Sequence, residues 1–282
     1  MLIFKLHNNI IPIIIFFYYI FLVLFMSSLE HKIQKLAELI LNSKKIVVLT
    51  GAGMSTESGI PDFRSPDTGL WNKVDPEKFA TINSYVSNPG RNLKFMLEMG
   101  LKIFKAKPNK GHKALTKLQR MGKLMGILTQ NVDGLHQKAH TQNIIELHGT
   151  VNEAKCMRCG RIFPITEMIN QVMKGGYSPS CGICFGLLKP NAIFFGEPLE
   201  SKTLLEADKM IANCDLLIVL GSSLLVYPVA FYPYKAIEKG AKLAIINIQE
   251  TEMDHHAEVV IHDRIGDILP KIVELVEKSF NN

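Results

Sequence analysis

Short apolar runs of strand length alternate with longer amphipathic segments along most of this chain. Ile46–Thr50, Leu216–Leu220 and Val259–Ile261 are such runs, and none of them contains a charged residue. Strands that are apolar on both faces lie in a sheet that is covered on both sides, and their alternation with helices predicts a parallel α/β sheet flanked by helices. Similar runs lie at 126–129, 144–147 and 243–248.

The helix-length segments show the complementary pattern. Ser27 opens a capping-box pattern, and the apolar residues within 29–40 then fall on one helical face. Segments 111–120 and 266–280 are also predicted to be helical. By contrast, 54–110 is rich in Gly, Pro and Asn, which predicts irregular structure with short helices only.

The N-terminus is an apolar extension, which we assign to residues 1–28. Residues 10–26 are almost wholly apolar but shorter than the roughly 20 residues that a membrane helix needs. Three interpretations are open: a signal-peptide core, a membrane anchor whose flanking lysines keep the remaining chain in the cytoplasm, and a translation start at Met26. We favour the start at Met26, and we expect membrane contact only if 10–26 is retained.

Composition narrows the class of protein. The 282 residues suffice for one large domain, or one large and one small, and 47% hydrophobic residues exclude a disordered chain. The net charge is +6, but the Lys and Arg residues are scattered. This pattern indicates a solvated basic surface, and we expect no specific nucleic-acid partner.

A glycine turn, Gly51-Ala52-Gly53-Met54-Ser55, follows the first strand. Such a turn lets the backbone approach a pyrophosphate, although a plain strand-to-helix turn explains it about equally well. Thr56 stands where a dinucleotide fingerprint has its third glycine, and Pro61 ends any helix early. These departures disfavour a hydride-transferring dehydrogenase and make 61–64 a candidate cofactor lid.

Polar residues follow several other predicted strands. In parallel sheets, ligands bind outside the carboxyl ends of the strands, so Gln130, Asn131 and Asp133 are placed to hold a ribose or a carboxamide. Asp133 as a helix cap is the alternative, and it could do both. His148 is a candidate general base, although a lone loop histidine is usually structural. Gly221, Ser222, Ser223 and Asn247 suit phosphate and ribose contacts, or are ordinary turn and capping residues.

Four of the five cysteines form two pairs, Cys156-x2-Cys159 and Cys181-x2-Cys184, separated by 21 residues. Four thiolates close a tetrahedral zinc site that has no open position, so we predict one structural Zn²⁺ and no chemistry there. A redox role is the alternative, and two separate pairs argue against it. Thiolate ligation also favours a reducing compartment, and we expect a cytoplasmic protein.

Taken together, these motifs closely resemble those of the sirtuin family. The pattern GAGxSxxSGIPDFR is met at 51–64, TQNxDGLH at 129–136 and ELHG at 146–149. The segments 189–197 and 221–228 match those between which sirtuins clamp a substrate peptide. The resemblance implies a catalytic domain over 29–282. Its Rossmann-like part is 29–60, 111–150 and 190–282, and its small domain comprises a helical module at 61–110 and a zinc module at 151–189.

The resemblance also implies the activity: NAD-dependent protein lysine deacetylation, with acyl-lysine proteins as partners. It implies catalytic roles for His148 and Asn131. The implied NAD-binding residues are Gly51, Ala52, Gly53, Ser55, Thr56, Asp62, Phe63, Arg64, Gln130, Asn131, Val132, Asp133, Gly221, Ser222, Ser223, Asn247 and Ile265. The implied substrate-binding residues are Ile193, Phe195, Gly196, Glu197, Leu225 and Val226.

By the same resemblance, the acetyl oxygen attacks the ribose C1′ of NAD as nicotinamide leaves. His148 takes a proton from the ribose hydroxyl, and water completes the formation of free lysine and O-acetyl-ADP-ribose. Sirtuins that prefer acidic acyl groups carry a Tyr-x-x-Arg pair, for which Met96 and Met99 stand here. We therefore expect a deacetylase that also accepts longer apolar acyl groups. The alternatives are an ADP-ribosyltransferase and a zinc-ribbon nucleic-acid-binding module.

Overall fold

The main sheet has six parallel strands, in the order β3-β2-β1-β7-β8-β9, in a computed structural model that describes residues 28–65 and 69–280. From β1 the chain adds strands first on one side and then, from β7, on the other. The strand order therefore reverses between β1 and β7, which is where α/β sheets of this kind bind ligands. The strands are β1 (Ile46–Thr50), β2 (Leu124–Thr129), β3 (Ile144–Glu146), β7 (Leu216–Leu220), β8 (Lys242–Ile246) and β9 (Val259–Ile261).

Helices cover both faces of this sheet, as the apolar strands predicted. Along β1, Ile46 and Val48 pack into one buried cluster, while Val47 and Leu49 pack into another on the opposite face. The first cluster includes side chains of α1 (28–42), α5 (Lys110–Arg120) and α10 (Ile265–Phe280), and the second includes those of α8 (Ser201–Ala212) and α9 (Tyr232–Glu238).

A smaller antiparallel sheet carries the cysteine pairs. Its order is β5-β4-β6, and α7 packs against β4. Two of the cysteines, Cys156 and Cys181, are buried in its core with Met168 of α7. The elements are β4 (Gly149–Cys156), β5 (Ile162–Pro164), β6 (Leu188–Ala192) and α7 (Ile165–Met173).

The segment predicted to be irregular contains one long helix, so that prediction was partly wrong. The 17-residue α4 (Pro89–Lys105) forms despite two internal glycines. Asn88 caps it by accepting the Arg91 N–H at 3.0 Å, and a proline at the first position is compatible with a helix start. The other helices of this segment are short, as expected: 3-10 helices at Ala52–Ser58 and Leu70–Asn72, α2 (Pro76–Phe79) and α3 (Ile82–Ser87). A further short helix, α6 (Leu135–Lys138), follows β2.

Of the N-terminal extension assigned to 1–28, residues 1–27 lie outside the described residues, so its interpretations stay predictions. Within 28–65 and 69–280, no helix is both long enough and apolar enough to cross a membrane.

Candidate active site

Two glycine turns meet where the strand order reverses. The Gly53 N–H donates to the Gly221 carbonyl at 2.9 Å, which joins the turn after β1 to the turn after β7. A Cβ on Gly53 would lie 2.8 Å from the Gly221 Cα, and Gly221 itself has a φ of 62°. Glycine is therefore required here for close approach of the two backbones. In this structure the glycines bring two turns of the chain itself together, and their approach to a pyrophosphate stays a prediction.

A cavity of about 1250 Å³ opens beside these turns. It extends from the carboxyl ends of the central strands to the apolar side chains of α4 and α7. Gly51 and Leu225 are the two residues expected to bind ligand that do not line it. The expected residues that do line it are Ala52, Gly53, Ser55, Thr56, Asp62, Phe63, Arg64, Gln130, Asn131, Val132, Asp133, His148, Ile193, Phe195, Gly196, Glu197, Gly221, Ser222, Ser223, Val226, Asn247 and Ile265.

Asn131 is held in the floor of the cavity. Its amide Nδ2 donates to the Gly51 carbonyl at 2.9 Å and to the Ser55 hydroxyl at 3.1 Å. Because both amide hydrogens are used in this way, the side-chain oxygen is the atom that remains to accept a hydrogen bond from a ligand. Asn131 is 9% exposed and lines the cavity, so its position is set by the surrounding protein before any ligand binds.

Asp133 joins the loop after β2 to the first glycine turn. It accepts the Ser55 hydroxyl at 2.6 Å and the Leu135 N–H, in the first turn of α6, at 2.8 Å. Burial raises the pKa of this carboxyl, while the bonds from Ser55 and Leu135 and the charge of Lys138 lower it. Asp133 thus lines the cavity and accepts the first N–H of α6, but the N-cap position is Gly134, so the expectation of Asp133 as the N-cap was wrong by one residue.

His148 has the geometry of a base. Its Nδ1 lies 3.1 Å from the Gln130 carbonyl, which can only accept, so Nδ1 carries the hydrogen and Nε2 carries the lone pair. Burial lowers the pKa of the imidazole, and the Gln130 carbonyl offsets part of this effect. The ring is therefore neutral at pH 7 and can accept a proton at Nε2.

The segment that we predicted to be a lid packs through aromatic side chains. Phe63 stacks on Trp71 with 5.1 Å between ring centroids, and Trp71 in turn lies 6.4 Å from Phe195. Asp62 stabilises the turn by accepting the Ser65 N–H at 2.8 Å and the Ser65 hydroxyl at 2.7 Å. Phe63 is 39% exposed, which leaves its ring available to cover a ligand.

Polar groups line the rim of the cavity on the side where β7 and β8 end. Ser222 donates to the Gln130 side-chain oxygen at 2.7 Å, which ties the turn after β7 to the loop after β2. Asn247 lies after β8, and its Nδ2 donates to the Gln249 carbonyl at 2.7 Å. Ile265, at the start of α10, is buried beside them.

The four paired cysteines converge outside this cavity. Their sulfur atoms all lie within 4.8 Å of one another, with Cys156 and Cys184 3.4 Å apart and Cys159 and Cys181 3.9 Å apart. A tetrahedral Zn²⁺ with bonds of about 2.3 Å separates its sulfur ligands by about 3.8 Å, so the four cysteines fit one structural ion. Cys214 is buried and lies outside this group, as predicted.

The match to known families decides the identity. Residues 51–228, the stretch that includes the glycine turn, His148 and the cysteine pairs, match the model of the Sir2 family. The chain belongs to the Sir2 family. The resemblance to sirtuins that the motifs carried is therefore confirmed.

Close relatives within the Sir2 family support this over nearly the whole chain. An "NAD-dependent protein deacylase 2" from Archaeoglobus fulgidus is 43% identical over 89% of this chain and 98% of its own length. An "NAD-dependent protein deacetylase 1" from Pyrobaculum aerophilum is 42% identical over 86% of this chain and 94% of its own.

Solved Sir2 structures have the same fold. A structure described as bearing on the mechanism and regulation of Sir2 enzymes superposes with a TM-score of 0.82 at 43% identity, covering 89% of this chain and 99% of that one. A Sir2 complex with a p53 peptide and NAD⁺ gives a TM-score of 0.77 at 36% identity, covering 85% and 96%. The expected Rossmann-like sheet with a cysteine-bearing partner is therefore the fold of a Sir2 protein.

The sequence did not indicate several residues of this Sir2 site. Trp71 lines the cavity and stacks on Phe63, but a lone tryptophan in a Gly- and Pro-rich stretch gives no signal. Thr50 and Thr129 end neighbouring strands, and their shared position at two carboxyl ends was an available signal. Lys189 was seen only as part of a motif, and the structure places it in a buried ion pair.

Proposed function

We propose that this chain is an NAD-dependent protein lysine deacetylase in which His148 is the general base. The observation that carries the proposal is the His148 tautomer, with Nδ1 anchored on the Gln130 carbonyl and Nε2 unprotonated in a cavity that ends at the apolar side chains of α4 and α7. NAD supplies the ADP-ribose that receives the acyl group, and the products are free lysine, nicotinamide and O-acetyl-ADP-ribose.

The polar part of the cavity suits NAD. The two glycine turns line the cavity at Ala52, Gly53 and Gly221, where they suit a pyrophosphate, and Ser222, Ser223 and Asn247 lie on the adjoining rim. Asn131 and Asp133 are buried, fixed by hydrogen bonds and near His148, so we assign them to the nicotinamide and ribose pockets. Phe63 and Arg64 would close over the cofactor and exclude water from the reacting ribose.

The apolar part of the cavity suits a neutral acyl chain. Phe95, Met96 and Met99 of α4 line it together with Met168 and Ile169 of α7. Arg64, His148 and Arg264 are the basic side chains among its described lining residues, and none of them belongs to α4 or α7. We therefore propose a preference for acetyl and longer apolar acyl groups over acidic ones.

A nicotinamide-release assay with NAD and an acetyl-lysine peptide tests the proposal. Wild type should release nicotinamide and deacetylated peptide together, and His148→Ala should lower the rate by about 100- to 10,000-fold. His31→Ala, at an exposed position of α1, is the matched control. NAD cleavage with label transferred to protein and no deacetylation would instead support ADP-ribosyl transfer. Full activity of His148→Ala would sink the proposed role of this residue.

The proposal also includes the class of protein substrate and the cellular compartment. Solved Sir2 complexes contain a p53 peptide and a propionylated peptide, which supports acyl-lysine proteins as the substrate class here. Four thiolates in one metal site are consistent with the reducing cytoplasm. Cell fractionation with an antibody against the native chain tests the compartment, and recovery in a secreted or membrane fraction would contradict it.

A further inference from the structure

A buried lysine lies beneath the segment that we propose as one side of the peptide cleft. Lys189 is 5% exposed, although lysine is almost never fully buried unless it is paired. Its partner is Glu197, with 3.0 Å between Nζ and Oε2. The two residues lie at the beginning and the end of the segment 189–197, so the ion pair closes this segment into a loop.

All three hydrogens of the Lys189 ammonium have an acceptor inside this loop. Besides Glu197, Nζ donates to the Ala192 carbonyl at 2.7 Å and to the Pro190 carbonyl at 3.1 Å. It also lies 4.6 Å from the centre of the Phe194 ring. One cation therefore fixes the positions of two backbone carbonyls, one carboxylate and one aromatic ring of the same short segment.

Glu197 extends this arrangement to the loop backbone. The oxygen that pairs with Lys189 also accepts the Phe194 N–H at 2.8 Å. Residues between Lys189 and Glu197 are bonded to the backbone of two other segments. The Ile193 N–H donates to the His148 carbonyl at 2.8 Å, and the Phe195 N–H donates to the Ala80 carbonyl at 2.9 Å. The ion pair thus holds a loop that is bonded directly to the residue of the proposed base.

Stability alone is a weak reason for such a pair. Replacing a buried ion pair by apolar side chains is often neutral or stabilising, because desolvation offsets much of the attraction between the charges. The pair instead holds the loop in a defined conformation, because the fold sets the positions of the three groups that accept hydrogen bonds from the Lys189 ammonium. Binding a peptide strand to a loop that is already ordered costs less conformational entropy than binding it to a disordered one.

We propose that Lys189 is a positioning residue for the acyl-lysine peptide, acting through Glu197 on the backbone of 193–197. This rests on the proposed deacetylase function and assigns it a further residue. Loss of the ammonium leaves the Ala192 carbonyl and the Glu197 carboxylate without their shared donor. The loop then samples several conformations, and binding of the peptide must order it.

Steady-state kinetics of Lys189→Met test this, with Glu197→Gln as a second variant that keeps an acceptor for the Phe194 N–H. We expect the KM for the acetyl-lysine peptide to rise about tenfold in both, with the KM for NAD unchanged. Lys117→Met is the matched control. It breaks the ion pair of Lys117 with Glu277, which are 2.6 Å apart between α5 and α10 and outside the cavity.

The outcomes separate the two proposals. An inactive wild type would refute the deacetylase assignment itself. An active wild type with an unchanged peptide KM in a folded Lys189→Met or Glu197→Gln would refute the positioning role. Equal rises in the KM for peptide and for NAD, together with a lowered Tm, would also refute it, because a merely structural residue gives that result.

Discussion

The hydroxyl of Thr50 donates to the hydroxyl of Thr129 at 2.8 Å, across the last paired residues of β1 and β2. The Thr129 oxygen also accepts the Asn131 N–H at 3.1 Å, and the Nε2 of His136 lies 3.0 Å from the Thr50 oxygen. Because the Thr50 hydrogen is used on Thr129, His136 must donate to Thr50. A buried chain of hydrogen bonds therefore leads from His136 to the backbone of Asn131.

Thr129→Val should impair catalysis through Asn131. Valine has nearly the same shape but leaves the Asn131 N–H without its acceptor, which costs about 1–3 kcal/mol of stability. Because small displacements of active-site groups are costly, we expect kcat to fall by about tenfold to 100-fold. Thr116→Val is the matched control, since it removes a buried hydroxyl that lies 2.8 Å from the Thr141 hydroxyl and does not reach the cavity. Equal kcat losses in both variants would contradict the prediction.

The pH profile of the reaction should reflect the burial of His148. Burial lowers the pKa of this imidazole, so the ring loses its proton at a lower pH than a free histidine does. A base acts only when it is unprotonated. The value of kcat/KM for the acetyl peptide should therefore rise with pH through a midpoint below about 6.5 and level off by neutral pH. A midpoint well above 6.5 would show that the charged form is stabilised instead.

Acid should destabilise the fold through two other histidines. Burial lowers the pKa of His112 to about 4, and burial together with the charge of His112 lowers that of His136 to about 3. The unfolded chain binds these protons near pH 6.5, so stability is full above that value and falls as the pH drops toward the folded-state values. Each unit of pKa difference corresponds to about 1.4 kcal/mol.

Thermal unfolding measured from neutral pH down to about pH 4.5 checks this. The Tm of wild type should decrease as the pH falls. The Tm of His112→Gln should decrease less, because one of the two buried histidines is gone. Burial raises the pKa of Asp133 and Glu146, and these groups act in the opposite direction in both proteins. The prediction is therefore tested by the difference between the two proteins in the slope of Tm against pH, and equal slopes would contradict it.

Zinc removal should unfold the smaller sheet. Without the metal, the segments that carry the four cysteines lose the bonds that join them, and closed sites of this kind contribute directly to folding. We expect the native protein to contain one zinc per chain, and we expect Cys156→Ser to lose the metal and melt at a lower temperature. Cys214→Ser, at a buried cysteine outside the group, should keep its zinc. An unchanged melting profile in metal-free protein would count against a structural role.

The strands of the main sheet were predictable because they are apolar on both faces. β1, β7 and β9 have the bounds that their apolar runs indicated, whereas α4 was missed because Gly90 and Gly100 weaken its local signal. That helix is stabilised by contacts distant in the sequence, such as the packing of Leu93 into the core of the smaller sheet. Local propensity does not report contacts of this kind.

The site was predictable where a residue follows a strand directly. Asn131, His148 and Ser222 lie at or near such positions, and they line one cavity. Trp71 and Lys189 were not predicted, because each contacts a residue of its own irregular segment, Phe63 and Glu197 respectively, and such contacts leave no periodic pattern in the sequence. The sequence thus indicated many of the residues that line the cavity, but not the residues that hold the surrounding loops in place.

Replacing the two methionines of α4 with tyrosine and arginine should change the preferred acyl group. Met96 and Met99 line the apolar part of the cavity, and by the resemblance they are expected to correspond to the Tyr and Arg of sirtuins specific for acidic acyl groups. In wild type, a succinyl carboxylate would be buried there without a cation, which is unfavourable by several kcal/mol. Met96→Tyr combined with Met99→Arg should raise kcat/KM for a succinyl-lysine peptide by about tenfold or more, and lower it for a decanoyl-lysine peptide. The control is Glu98→Gln, which raises the net charge by the same one unit at an exposed position of the same helix that does not line the cavity. A similar gain in the control would mean that overall charge attracts the substrate, whereas no gain in the double variant would mean that these methionines do not contact the acyl group.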